Sequence, residues 1–356
     1  MNQGLIAEVT REEVRRAVFD IDGTSTPGAD GMSGVFNQKY WSVVGEQVTN
    51  EVLNFFENGV FPKEWNFTQL VLLPKVTKPK SMTDLRPISL CSVMYKIISK
   101  VLCARLKKIL PKIVSNTQGA FVAGRLISDN ILLAHEMVHA LRTKPMCNEE
   151  FMAIKTDMSK AYYRVEWRFL EELFIRLGFE KKRVDWIMVC VRMVSFSIIL
   201  YGNAYGFFEP SRGLRQGDPL SPFLFILCVE TLVHVMNRAE QEKRITGLCL
   251  TKKCPSVQHL LFADDSLFLC KATFKEAIEI LQCLKLYGEA SGQEINFQKS
   301  SLTFREKIDP IMRRVLGLFM GITKEGGAEK YLGLSECFSG SRDSYWHISQ
   351  TSSNLD

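Results

Sequence analysis

Several things are missing from this sequence, and each absence narrows what it encodes. Its ten cysteines include no Cys-x-x-Cys spacing. That argues against a zinc knuckle and a disulfide framework, and leaves buried reduced thiols in an intracellular protein, nuclear or cytoplasmic. No long apolar run occurs: "PFLFILCV" stops at Glu230, far short of the ~20 residues of a membrane span, so no membrane partner is expected. The opening "MNQGLIAEVTREEVRR" has no apolar core of a secretory signal. Repeats and low-complexity tracts are also lacking. A large excess of one charge sign is also lacking, and a net charge of +6 does not by itself argue for a nucleic-acid partner. What remains is 356 residues, 46% hydrophobic and 24% charged, the profile of an ordinary globular chain with two or three subdomains.

The distribution of charge says more than its sum. In "YKIISKVLCARLKKILPK" the apolar residues fall at helical spacing, and Lys96, Lys100 and Lys107 share one stripe. Such a stripe is a solvated face in most proteins. Here Lys75, Lys78, Lys80 and Arg86 lie just upstream against a single acid, Asp84. Together they define a candidate surface for phosphates.

"TREEVRRAVF" opens a helix with a capping box, Thr10 to Glu13, and "DGTSTPGADG" is a loop. "FTQLVLLPK" is a strand, the Lys-striped helix follows, and "DNILLAHEMVHALR" is a further helix. Residues 143–150 read as a surface connection and the best domain boundary. Beyond it, "FMAIKTD" is a short strand, "RFLEELFIRLGF" a helix, and "SFSIILYGNAYGFFEP" a hairpin with a Gly-Asn turn. "SPFLFILCVETLVHVMNRAEQE" is a long helix. The hairpin "HLLFADDSLFLC" precedes a helix capped by Thr273 and Glu276 and stopped at Gly292, and "INFQKSSLTF" closes the series as a strand. This order fits an α+β fold with a ferredoxin-like antiparallel sheet. One helical layer is expected behind the sheet, the other face open, with Asp157 and Asp264 meeting on neighbouring strands.

"HEMVH" places His135 and His139 on one helix face with Glu136 between them, the spacing of zinc peptidases. No third ligand follows. An apolar stripe of Leu132, Leu133, Met137 and Val138 explains the segment as a packing element. Asp264 and Asp265 pose a sharper question. Acids between two apolar strands usually form a solvated turn. Yet favoured two-residue turns want Gly or Asn, and adjacent carboxylates repel unless a cation is present. A hard divalent ion held by oxygens resolves that conflict. Asp157, ending an apolar strand, is the natural third carboxylate, with a helix cap as the alternative. In "SRGLRQGDPLSP", Gly213 and Gly217 allow close backbone approach to a ligand, and Arg215 and Gln216 are candidate donors to it.

In this order and spacing, "DMSKAYYRVEW", "GLRQGDPLSP" and "FADDS" resemble the reverse transcriptases of non-LTR (LINE-type) retrotransposons, of the kind abundant in plants. The resemblance extends from "TPGADGMSGVF" through "VLLPK", "LRPISL", "GAFVAGRLISDNI" and "SGQEINFQKSS" to "KYLGL", covering residues 8–334. It implies a right-hand polymerase: fingers at 1–150, palm at 151–340, and an irregular tail at 341–356. Asp157, Asp264 and Asp265 would hold two Mg²⁺ ions, with Mn²⁺ as a substitute, for in-line transfer from a dNTP to the 3′-OH of a DNA primer on an RNA template. Tyr162 matches the aromatic beneath the incoming sugar, and core packing is its other reading. Gln216 and Gly217 match the nucleotide pocket, Lys75 and Arg86 the phosphate grip. Lys299 matches a lysine that protonates pyrophosphate, against a plain exposed strand lysine. "KYLGL" looks like the hairpin that grips the primer. Oligomeric state is not implied.

Two departures stand out. The family has Asp where this chain has Tyr163, and Pro where it has Ala123. By the resemblance, the thumb and endonuclease of such elements are expected to lie outside this sequence. The rival expectation is therefore an inactive, truncated remnant that retains nucleic-acid binding.

Overall fold

A computed structural model describes residues 2–143, 150–251, 254–305, 307–326, 330–332 and 334–335. Residues 144–149 of the expected boundary and the whole of the expected tail, 341–356, lie outside the described residues. The described strands are β1 (Phe67–Pro74), β2 (Leu85–Leu90), β3 (Phe151–Thr156), β4 (Ser195–Leu200), β5 (Asn203–Phe208), β6 (His259–Phe262), β7 (Asp265–Lys271), β8 (Ser301–Phe304), β9 (Lys330–Tyr331) and β10 (Leu334–Ser335). The chain forms two compact units, each built from two separate stretches: Met1–Ile113 with Tyr162–Cys228, and Val114–Ala161 with Val229–Asp356.

The first unit carries a sheet in the order β2-β1-β4-β5, with β1 and β4 parallel and the other pairs antiparallel. β2 has no counterpart in the sequence reading, because Pro87 sits inside it. A proline removes a ladder donor and is tolerated where one flank is unpaired, and β2 is an edge strand. The Lys-striped helix runs Val93–Lys107, and a separate short helix, Leu110–Ile113, follows. Pro111 cannot donate to a continuing ladder, so the expected single helix breaks ahead of it.

The second unit holds a four-stranded sheet in the order β6-β7-β3-β8, all pairs antiparallel. Counting strands within the unit, that is the 2-3-1-4 order of a ferredoxin-like sheet. The helix Ile127–Thr143 packs Ala134, Met137 and Leu141 against Phe151, Ala153, Leu260, Leu267 and Leu269. The alternate residues of the same strands, Met152, Ile154, Phe268 and Cys270, are also fully buried. The expected open face is therefore absent along β3. Its apolar run is that of a central strand covered on both sides.

Other elements follow local chemistry. Thr10 and Glu13 form a reciprocal capping box. Thr273 caps its helix through Glu276 N, whereas the Glu276 carboxylate turns away to Thr246 and to Lys271 N. The expected strand at 295–304 is confined to Ser301–Phe304, since Lys299 N and Ser300 N fold back onto Asn296 O. The helix Ser221–Gln241 is long and apolar enough to span a membrane by length and composition, yet most of it is buried inside the protein.

Candidate functional site

The second unit brings the acids to one end of its sheet. Thr156 and Ser266 are the last paired residues of β3 and β7. One step further, the same register sets Asp157 opposite Asp265, the first residue of β7. Asp264 is not on a strand, contrary to expectation. It forms a two-residue turn with Ala263 between the paired Phe262 and Asp265. Ala263 has φ 54°, a left-handed value that costs a residue with a Cβ roughly 1–2 kcal/mol. Strain of this kind collects where surrounding structure over-determines the backbone. Here Gln118, fully buried, accepts from Ala263 N at 3.1 Å and from Ala120 N at 3.0 Å. Gly119 N donates to Leu261 O, and Asn130 Nδ2 reaches the same oxygen. "TQGAFVAGR" is thus a brace for the acid hairpin, a role its sequence did not signal.

Negative charge gathers at this strand end. Burial and then Asp264 push the Asp265 carboxyl up to about 6; Lys155 opposes them, and Asp157 adds to the rise. Lys155 is two residues before Asp157, hence on the same side of β3. The Lys299 ammonium stands 3.8 Å from Asp157 Oδ2 and is itself well exposed. Lys299 lies on the turn after Asn296, not on a strand. Three carboxylates with a raised member are a donor set suited to a hard divalent cation. Among the described residues no three acidic, His or Cys side chains already form a closed ligand set. The fit is therefore one of donor chemistry and charge.

The first unit builds the "GLRQGDPLSP" loop against β2. Ser89 N donates to Gln216 O at 2.8 Å. Gly217 has φ 105°, and a Cβ there would meet Ser89 O at 3.0 Å. Glycine is required by both conformation and space. Gly213 has φ 92°, and its Cβ would come within 2.8 Å of Tyr163 O. Arg215 corrects an expectation: it is buried and unavailable to a ligand. Its guanidinium pairs with Asp218 at 3.0 Å, lies over the Tyr95 ring and bonds Asn66, Thr68 and Cys190 O. Gln216 remains partly exposed.

Tyr162 stacks on Phe225 with ring centroids 4.7 Å apart and is half-buried. Tyr163 points its hydroxyl at Pro87 O, 2.8 Å away, and at Gln216 Oε1, 3.1 Å away. Burial pushes that phenol up to about 12, with Arg86 opposing. The departure at 163 is therefore accommodated by specific partners. Arg86 is exposed on β2, and Lys75 begins the exposed loop that follows β1, its Nζ on Thr83 O. The lysine stripe is partly committed elsewhere. Lys96 and Lys100 bond the carbonyls of Thr26 and Asp20, and Lys107 lies over the Phe223 ring.

"HEMVH" is a packing helix, and Met137 and Val138 of the expected stripe are buried, but Leu132 and Leu133 are not. Ile131, Ala134 and Leu141 are buried as well. His139 is exposed and His135 half-buried.

Residues 75–335 match the family described as "Reverse transcriptase (RNA-dependent DNA polymerase)". The chain belongs to the reverse transcriptase family. Families of this kind use divalent metal ions and act on a nucleic-acid template and primer. Among relatives, the "Transposon TX1 uncharacterized 149 kDa protein" of Xenopus laevis is 27% identical over 92% of this chain and 26% of its own length. The "Retrovirus-related Pol polyprotein from type-2 retrotransposable element R2DM" of Drosophila melanogaster is 26% identical over 64% of this chain and 21% of its own length. An "Uncharacterized mitochondrial protein AtMg01250" of Arabidopsis thaliana is 52% identical over 19% of this chain and 56% of its own length. These relatives bear out the non-LTR retrotransposon resemblance, and none supports a zinc peptidase. This reverse transcriptase sequence spans about a quarter of the transposon protein it matches over most of its length.

Proposed function

We propose that this chain is the RNA-directed DNA polymerase core of a non-LTR retrotransposon, with fingers at 1–150 and palm at 151–340. It would extend a DNA primer on an RNA template from dNTPs. The observation that carries this reading is the strand-end acid cluster, Asp157 opposite Asp265 with Asp264 in the braced turn. Asp157, Asp264 and Asp265 are the residues that would hold two Mg²⁺ ions. When bound, the ions supply charge neutralisation at the primer hydroxyl and at the departing pyrophosphate.

The rest of the chemistry belongs to side chains of this chain. Lys155 offsets part of the charge on Asp265, and Lys299 part of that on Asp157. Lys299, exposed to solvent, would also give a proton to pyrophosphate. Tyr162, held flat on Phe225, presents a fixed ring edge that disfavours a 2′-OH. Gln216 and Gly217 offer a side-chain amide and an unobstructed backbone to the nucleotide, and Arg86 and Lys75 neutralise its phosphates. The buried, unbridged cysteines among the described residues suit an intracellular compartment, nucleus or cytoplasm.

Primer extension on an RNA template with Mg²⁺ tests the reading. Extension that disappears in Asp264→Asn supports it. A folded protein that binds primer-template yet adds no nucleotide would sink it in favour of the inactive remnant.

A further inference from the structure

We infer that Tyr163 is a positioning residue that turns the Gln216 side-chain amide so that its oxygen faces outward as a hydrogen-bond acceptor. The inference rests on the reading of the Gln216 loop as a nucleotide pocket.

The number of protons available fixes the arrangement. The Tyr163 hydroxyl is 2.8 Å from Pro87 O and 3.1 Å from Gln216 Oε1. A phenol has one proton to donate and can accept through its oxygen. A proline carbonyl can only accept, and it is the nearer partner. The hydroxyl proton therefore goes to Pro87 O. A second acceptor oxygen at 3.1 Å would then face a lone pair. A half-turn of the Gln216 amide exchanges Oε1 and Nε2 with almost no change of shape, and the network decides between the two. Only one setting satisfies all three groups: Gln216 Nε2 donates to Tyr163 Oη, which donates to Pro87 O. Gln216 Oε1 then points away from the protein.

Each link is held by something independent. Pro87 is fixed in the β1–β2 ladder opposite Leu72. The Gln216 backbone is anchored by Ser89 N. Leu214 N donates to Tyr162 O at 2.7 Å, and Gly213 leaves no space for a Cβ against the Tyr163 backbone. The phenol, pushed up to about 12, keeps its proton through the neutral range. An outward oxygen accepts from a nucleotide hydroxyl or N–H and offers nothing to phosphate. An aspartate at 163 could also accept from Nε2 and set the same orientation. A phenylalanine could not.

The test measures dTTP binding to the whole protein with Mg²⁺ and an RNA template whose DNA primer ends in a dideoxynucleotide, so no turnover is needed. Tyr163→Phe is expected to weaken binding by ~3- to 10-fold, the range of one hydrogen bond. Gln216→Ala should weaken it at least as much, and the double variant no further, because Tyr163 acts only through Gln216. Tyr163→Asp should restore binding that Tyr163→Phe loses. Wild-type affinity in Tyr163→Phe, or additive losses in the double variant, overturns the inference. A second measurement needs no variant: hydrogen exchange of the ¹⁵N-labelled Gln216 side chain. One slowly exchanging Nε2 proton is expected, and two fast ones overturn the assignment. Absence of dTTP binding in the wild type counts against the nucleotide-pocket reading, while the amide exchange still decides Tyr163's hold on Gln216.

Discussion

The Lys299 ammonium lies 3.8 Å from Asp157 Oδ2, so the acid that ends β3 already has a cationic neighbour on the turn leading into β8. The pair is open to solvent, and such pairs contribute ~0.2–1 kcal/mol. Lys299→Ala should therefore leave stability almost unchanged. It should lower the Mg²⁺ concentration for half-maximal extension by up to ~5-fold at low salt, because a competing cation is gone. If Lys299 serves only pyrophosphate, the maximal rate falls and the Mg²⁺ midpoint stays put. Magnesium titrations at two salt concentrations separate the outcomes.

Asp265 should make stability depend on pH and, through the proposed metal site, on magnesium. Its carboxyl is pushed up to about 6 in the folded protein, against ~4 in an unfolded chain. The folded state then binds the proton more tightly than the unfolded one. The resulting penalty is fully present above pH ~6 and is relieved as pH falls from ~6 toward ~4. Magnesium should raise the melting temperature by ~2 °C or more at pH 7.5 and by much less at pH 5. Asp265→Asn should abolish both the metal effect and this component of the pH dependence. Differential scanning calorimetry at the two pH values reads the difference.

Arg215 should matter to the fold more than to nucleotide contact. It is buried with Asp218, 3.0 Å away, and Tyr95 donates to Asp218 at 2.6 Å. Arg215→Ala strands a buried carboxylate, which costs ~3–5 kcal/mol. Urea unfolding of Arg215→Ala should show a loss of that size. A variant as stable as the wild type would mean the pair is not buried in solution.

Ala263 is the one turn residue of the acid hairpin with positive φ, at 54°. Glycine takes that conformation without strain but adds freedom to the unfolded chain. Ala263→Gly should be neutral or stabilising by up to ~1 kcal/mol, whereas a valine there should cost more than ~1 kcal/mol. Equilibrium denaturation of the two variants checks the order.

Much of this molecule could be read along the chain. Asp157, Gln216 and the Asp264–Asp265 pair stand in local contexts that announce themselves: an acid just after an apolar strand, a glycine-bounded loop, and adjacent charges at the tip of an apolar hairpin. Helix caps at Thr10 and Thr273 were legible for the same reason, since a cap is a contact over three residues. The β2 strand was hidden by Pro87, because a proline's tolerance depends on whether a neighbour needs its missing donor. Of the stripe expected on the "HEMVH" helix, Met137 and Val138 are buried, whereas Leu132 and Leu133 give way to Ile131 and Ala134, a choice made by the sheet the helix packs against.

Local order and residue type thus sufficed for the family and the ferredoxin-like sheet, and they singled out the candidate acids. Only tertiary structure assigned their partners. Asp157 faces Asp265 because of a register summed over six cross-strand pairs. Arg215 is withdrawn from any ligand by residues as distant in sequence as Asn66 and Tyr95. Tyr163, which looked like damage, is seated between Pro87 and Gln216. Side-chain chemistry is local, but what neutralises a charge or shares a proton is decided by neighbours that the chain brings together only when it folds.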